Sequence, residues 1–218
     1  MSIEAWAAVA DRIGIGANTA VLDVGCGSGG FCALAAARGA TVRGVDADPA
    51  ELERARGRVP GGEFRLGLME DLPWPDDAFE AVTGFNAFQY ALDLDLALGE
   101  ARRVARPGAP IAICKWARPE DNEFFALLIA VGAGRPGGTD PIDDAVRRAR
   151  LDVVVSGDAP APMEMADDAA LEAALVAAGA LRAPGADRRR LLDSASPFRR
   201  SDGSYRFENR LRYLIARA

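Results

Sequence analysis

Residues 21–30, VLDVGCGSGG, place four glycines and one carboxylate directly behind an apolar run. Gly25, Gly27 and Gly30 have the G-x-G-x-x-G spacing of a nucleotide-binding turn between a strand and a helix. Such a turn lets a ligand approach bare backbone and meet amides at the positive end of the following helix. Asp23 complicates that reading, because a carboxylate two residues before the first glycine repels a phosphate. A ligand carrying an ammonium group is attracted by it instead.

Outward from this turn, short β-like runs alternate with helical patterns. Ile3, Trp6, Ala10 and Ile13 recur at helical spacing, and 19–24 reads as a strand followed by a helix ending near Gly39. TVRGVD (41–46) is a second strand. In the helix after it, Asp48 is the expected N-cap, Pro49 the first helical residue and Glu51 the reciprocal member of a capping box. Strands follow at 63–68, 79–85 and 110–116, with a helix at 95–106. Beyond Trp116 the pattern predicts helices at 124–131 and 143–150, a loop at 136–141 and a sixth strand at 151–157. An insertion opening at 159–163 then carries an Ala-rich helix at 168–179. At 204–216, Tyr205, Phe207, Leu211, Tyr213 and Ile215 alternate with Arg206, Glu208, Arg210 and Arg212, which predicts one long strand with unequal faces. Strand–helix alternation of this kind belongs to a doubly wound, mostly parallel sheet.

Composition narrows the chemistry. Half of the 218 residues are hydrophobic and 27% are charged, enough for a sizeable core in one large domain. A net charge of −6 argues against nucleic acid as the general partner. The charge is uneven, since residues 181–218 hold ten Arg against four acids. Histidine is absent, which excludes histidine bases, Ser-His-Asp triads and His-ligated metals. Cys26, Cys32 and Cys114 form no C-x-x-C pair and read as reduced thiols of a cytoplasmic protein, so no metal site is expected. The opening MSIEAWAAVADRIGIG lacks a basic signal-peptide region, and no apolar run reaches the ~18 residues of a membrane helix.

Asp46 closes the second strand 21 positions after Gly25. A carboxylate there accepts both hydroxyls of a ribose and disfavours a 2′-phosphate. A ribose at Asp46, an ammonium near Asp23 and a glycine loop between them describe S-adenosylmethionine better than NAD. The segments VLDVGCGSG, VRGVDADP, LMEDLPWPDDAFEAV and ARRVARPGAPIAI resemble, in order and spacing, the motifs of class I S-adenosylmethionine-dependent methyltransferases. The resemblance implies an α/β, doubly wound, Rossmann-like seven-stranded mixed sheet with the last strand antiparallel and helices on both faces. It places Asp23 and the loop of Gly25, Cys26, Gly27 and Gly29 around the methionine part of the cofactor. Asp46 takes the ribose, with Ala47 beside the adenine. The family's usual acidic partner of the adenine amino group is replaced by Leu68, which leaves the Met69 amide for the ring and Glu70 for the amino group. Asn86, just past the fourth strand, faces the ammonium and sulfonium groups.

The whole chain, 1–218, is then expected to be a single methyltransferase domain in which residues 117–200 include an insertion covering the acceptor. The implied reaction is methyl transfer to a small-molecule acceptor by in-line displacement, with S-adenosylhomocysteine as product. Displacement depends on alignment and exclusion of water more than on a strong acid or base, so no catalytic residue is singled out. Gln89, Tyr90, Lys115 and Trp116 are candidate pocket residues near strand ends. Arg199, Arg200 and Arg206 are candidates for orienting an acidic acceptor. Two other readings stay open. One is an NAD-dependent oxidoreductase, allowed by the glycine spacing and disfavoured by Asp23. The other is a non-catalytic S-adenosylmethionine-binding module of the same fold.

Overall fold

The computed structural model describes residues 3–132, 141–180 and 188–218. Its elements run α1 (Ile3–Arg12), β1 (Ala20–Val24), α2 (Gly30–Ala37), β2 (Thr41–Asp46), α3 (Pro49–Arg58), β3 (Glu63–Leu66), β4 (Ala81–Phe85), α4 (Leu94–Val104) and β5 (Pro110–Trp116). They continue with α5 (Glu123–Ala130), α6 (Pro141–Arg148), β6 (Asp152–Pro160), β7 (Met163–Met165), α7 (Asp168–Ala177), α8 (Arg188–Ser194), β8 (Tyr205–Phe207) and β9 (Arg210–Arg217). Most of the loop expected at 136–141 lies outside the described residues.

Seven strands form one sheet in the order β3-β2-β1-β4-β5-β9-β6. β1 pairs in parallel with β2 and β4, β2 with β3, and β4 with β5. β9 runs the other way. The Ala218 amide donates to the Ala109 carbonyl at 3.1 Å while the Ala117 amide donates to the Arg210 carbonyl at 3.0 Å, so opposite ends of β5 and β9 meet. The expected mixed, doubly wound sheet is the one observed.

A strand with neighbours on both edges and helices on both faces has to be apolar at every position. β1 is such a strand. Leu22 and Val24 join the core shared with Leu98 and Ala101 of α4 and Val146 of α6. Val21 points oppositely, into a core with Ala10, Phe31, Ala35, Leu52 and Ala55 from α1, α2 and α3. Asp23 is the exception, a charged residue type only 3% exposed on the α2 face.

Caps set the helix starts. Asp48 accepts the Ala50 amide at 2.8 Å and Asp93 accepts the amides of Asp95 and Leu96, opening α3 and α4. The capping box expected at α3 forms only by half. The Asp48 amide donates to Asp46 Oδ1 at 2.9 Å, while Glu51 pairs with Arg54 one turn on. The long strand expected at 204–216 is also two strands. β8 pairs with β7 in a separate ribbon and β9 enters the main sheet. Between them, buried Asn209 accepts the Phe124 amide at 3.1 Å through Oδ1 and the Ala161 amide at 2.7 Å through its carbonyl. Those bonds replace the ladder contacts that a continuous strand would make.

The chain divides into two compact units. One holds the main sheet with α1–α4 and α6. The other holds α5, α7, α8 and the β7–β8 ribbon around Phe124, Leu127, Leu171, Leu175, Tyr205 and Phe207.

Candidate functional site

In the unit that carries the sheet, a pocket of about 240 Å³ opens where β1, β2, β3 and β4 end. The carboxyl edge of an open α/β sheet is where loops diverge and leave room for a ligand. Its polar lining is Asp46, Glu70 and Asn86. Its apolar lining includes Val45, Ala47, Leu68, Met69, Tyr90 and Leu92.

Asp46 is held by its own surroundings. Oδ2 accepts the Gly27 amide at 2.7 Å and Oδ1 accepts the Asp48 amide at 2.9 Å. One carboxylate thus ties the glycine loop to the end of β2, and each oxygen keeps acceptor capacity for a ligand hydroxyl. Gly25 sits on the lining with φ +66°, and a Cβ there would lie 2.6 Å from Ala87 Cβ. No side chain fits that turn without moving the wall opposite.

Six of the ten predicted cofactor residues line this pocket: Gly25, Asp46, Ala47, Met69, Glu70 and Asn86. The other four stand outside its lining. Gly27 donates its amide to Asp46, and Gly29 caps α2 with φ +74°. A Cβ on Gly29 would approach the Ala55 backbone to 3.1 Å, so this glycine permits α2 and α3 to pack. Cys26 is 6% exposed within the core of the α2 face, with its thiol donating to the Gly27 carbonyl at 3.7 Å.

Asp23 lies buried on the α2 face. Its Oδ1 accepts the Thr83 hydroxyl at 2.7 Å and its Oδ2 accepts the Cys32 thiol at 3.7 Å. Burial pushes this carboxyl up from 3.8 to about 7, opposed by those two donors and reinforced by the charge of Asp46. Burial, and after it the charge of Asp23, raises the thiol of Cys114 on β5 well above its usual value.

Glu70 is partly committed. Its Oε1 accepts the Leu92 amide at 2.6 Å and the Asp93 amide at 3.3 Å, anchoring the start of α4 to the pocket wall. Asn86 adopts φ +53°, a left-handed conformation, with its amide donating to the Cys114 carbonyl at 2.7 Å. Asparagine tolerates that region better than most residues, at a cost of order 1 kcal/mol.

Tyr90 lines the pocket and is 74% exposed, whereas Gln89 is outside the lining and donates to Asn86 Oδ1 at 3.4 Å. Lys115 and Trp116 also stand outside it, and Trp116 packs edge-on to Phe125 at 6.1 Å. In the other unit, Arg200 and Arg206 both pair with Glu164 across the β7–β8 ribbon. Arg199 pairs with Asp168 at 3.2 Å and lines a separate cleft of about 460 Å³ with Arg189 and Tyr205. Leu92 and Ala87 are lining residues that sequence reasoning missed. Leu92 is 86% exposed, and its only sequence signal is its place before the Asp93 cap. Among the described residues, no group of three His, Cys, Asp or Glu is placed to hold a metal ion, and no helix is long and apolar enough to cross a membrane.

This geometry defines a Rossmann-like α/β protein with a pocket at the carboxyl edge of its sheet, and comparison with known proteins adds to it. Residues 22–113 match the methyltransferase domain family. Over 115 residues the chain is 33% identical to a demethylmenaquinone methyltransferase of Tropheryma whipplei, covering 51% of this chain and 48% of that one. The chain spans about half the length of the curated relatives it matches. The same fold occurs in a putative methyltransferase of Bacillus halodurans, with a TM-score of 0.69, 17% identity and 97% of each chain covered. It also occurs in the [4+2]-cyclase SpnF, with a TM-score of 0.61, 18% identity and coverage of 95% of this chain and 78% of that one.

Proposed function

We propose that this protein binds S-adenosylmethionine in the 240 Å³ pocket and transfers its methyl group to a small-molecule acceptor. The observation that carries the reading is Asp46, a carboxylate on the pocket lining whose two oxygens are fixed by the amides of Gly27 and Asp48. A rigid acceptor pair at the end of β2 suits the vicinal hydroxyls of a ribose. The apolar walls of Ala47, Leu68, Met69 and Tyr90 suit a flat purine, and buried Asp23 beneath the Gly25 turn suits a cation.

The cofactor, when bound, supplies a methyl carbon open to in-line displacement by a nucleophilic acceptor. The chain's own work is then to bind and align. Asp46 and the amide-rich loop of Gly25, Cys26, Gly27 and Gly29 fix the cofactor's position. Met69 and Ala47 line the base end, Glu70 braces the wall through the α4 start, and Asn86 borders the methionine end. Such a reaction depends on alignment and exclusion of water, so it needs no histidine. We place the acceptor cover in residues 117–200, within a single functional domain in the cytoplasm. The acidic main unit favours a small molecule over nucleic acid.

Titration calorimetry with S-adenosylhomocysteine and with NAD tests the cofactor, and turnover on an acceptor library tests the transfer. Binding of S-adenosylhomocysteine with a dissociation constant in the micromolar range and no response to NAD is expected. Preference for NAD would refute the reading. A second reading, a domain that holds the cofactor without transferring methyl, would be supported by cofactor binding without turnover.

A further inference from the structure

We propose that Thr83 is a positioning residue whose hydroxyl holds Asp23 in the carboxylate form that a cationic ligand requires. The identity of that ligand rests on the cofactor reading above; the rest stands on the geometry of the sheet. β1 and β4 pair in parallel with Asp23 directly beside Thr83, so both side chains project to the α2 face. Thr83 is fully buried, and its Oγ1 donates to Asp23 Oδ1 at 2.7 Å. Valine would fill the same volume with the same β-branched shape, so packing by itself does not call for a hydroxyl here.

The hydroxyl has a second acceptor, the Leu22 carbonyl oxygen, at 3.4 Å. One proton serves one acceptor at a time. When Asp23 is ionised, the hydroxyl donates to its Oδ1. When Asp23 is protonated, the carboxyl proton is donated to Thr83 Oγ1 and the hydroxyl turns to Leu22. Both states leave the buried hydroxyl paired, but the 2.7 Å bond to the charged carboxylate is shorter and stronger than the 3.4 Å bond to the carbonyl, so the hydroxyl favours the ionised form.

The groups facing Asp23 are the hydroxyl of Thr83 on β4, the thiol of Cys32 on α2, the charge of Asp46 at the end of β2 and the thiol of Cys114 on β5. Cys26 of the glycine loop acts one step further out, through Cys32. A bond to Cys26, burial and the charge of Asp23 raise the Cys32 thiol, so it remains a protonated donor. Thr83 and Cys32 therefore oppose the burial that drives Asp23 toward its neutral form.

The experiment follows the carbon-13 shift of the Asp23 carboxyl against pH in the ligand-free protein, for wild type, Thr83→Val and Thr83→Ser. Thr83→Val should raise the midpoint by about one to two pH units, the worth of one charge-assisted hydrogen bond, while Thr83→Ser stays within about 0.3. Calorimetry should show S-adenosylhomocysteine binding about tenfold weaker to Thr83→Val at pH 7, with the loss shrinking toward pH 8.5. An unshifted midpoint in Thr83→Val, or a shift as large in Thr83→Ser, overturns the proposal whatever the ligand. If Thr83→Val does not fold, Asp23→Asn decides, because its affinity for S-adenosylhomocysteine should lose the pH dependence of wild type between about pH 6 and 8. A surviving pH step there overturns the proposal. A shifted midpoint in a protein that binds no S-adenosylhomocysteine overturns the cofactor reading instead.

Discussion

Replacing Asp23 by Asn should stabilise the ligand-free protein, and the gain should grow with pH. Burial holds the Asp23 carboxyl at about 7, against 3.8 for an exposed one. Between these values the folded chain keeps a proton that the unfolded chain releases. Stability from this group is therefore highest below about pH 4 and declines as pH rises through 7. A shift of about three units at 1.36 kcal/mol each sets the full penalty near 4 kcal/mol above pH 7, of which roughly 2–3 kcal/mol accrues between pH 5 and 8. Asn keeps an acceptor for the Thr83 hydroxyl and nearly the same volume, and it carries no charge to desolvate. Urea denaturation of both proteins at pH 5 and pH 8, followed by circular dichroism, measures the difference. A variant whose advantage over wild type is the same at both pH values, within about 0.5 kcal/mol, would refute the reasoning.

Three further outcomes follow from the same geometry. Asp46→Ala removes the acceptor of the Gly27 and Asp48 amides together with the proposed ribose partner, so S-adenosylhomocysteine affinity should fall more than about tenfold by calorimetry. Gly25→Ala brings a Cβ to 2.6 Å from Ala87 Cβ at φ +66°, and should cost about 1–3 kcal/mol of stability while removing detectable cofactor binding; a wild-type melting temperature with intact binding contradicts this. For an acidic acceptor, Arg199→Ala should raise KM several-fold, whereas Arg200→Ala and Arg206→Ala, both spent on Glu164, should leave it within about twofold.

The first five strands were legible because each combines a short apolar run with a punctuating glycine, proline or cap, and local patterns of that kind survive folding. The split between β8 and β9 was not legible. The period of two from Tyr205 to Ile215 is interrupted at Asn209 alone, a single polar residue that a strand tolerates, and what divides the strand there is Asn209 bonding to Phe124 and Ala161. Partners so distant in the chain leave no periodic trace. At the site, Asp46 was readable from its place at a strand end. The separation of Gly25 on the pocket lining from Gly27 and Gly29 outside it depends on which neighbour each meets, Ala87, Glu51 and Ala55 respectively. The half-formed capping box has the same origin, since Asp46 outcompetes Glu51 for the Asp48 amide.

Asp23 occupies a position where every other β1 residue is apolar or nearly so, and a hydrophobic isostere there would avoid the desolvation that its charge incurs. Among the described residues, the groups that act on it are a hydroxyl, a thiol and another carboxylate, with no cation among them. Two hydrogen bonds orient the carboxyl without neutralising it. A buried acid arranged this way is complete only when positive charge arrives from outside the fold, and Gly25, two residues on, lines the pocket. On this argument the instability of the free protein above pH 7 and its affinity for a cationic ligand have one source. S-adenosylhomocysteine should therefore raise the melting temperature of wild type more at pH 8 than at pH 6, and raise that of Asp23→Asn by a smaller amount that does not change between them.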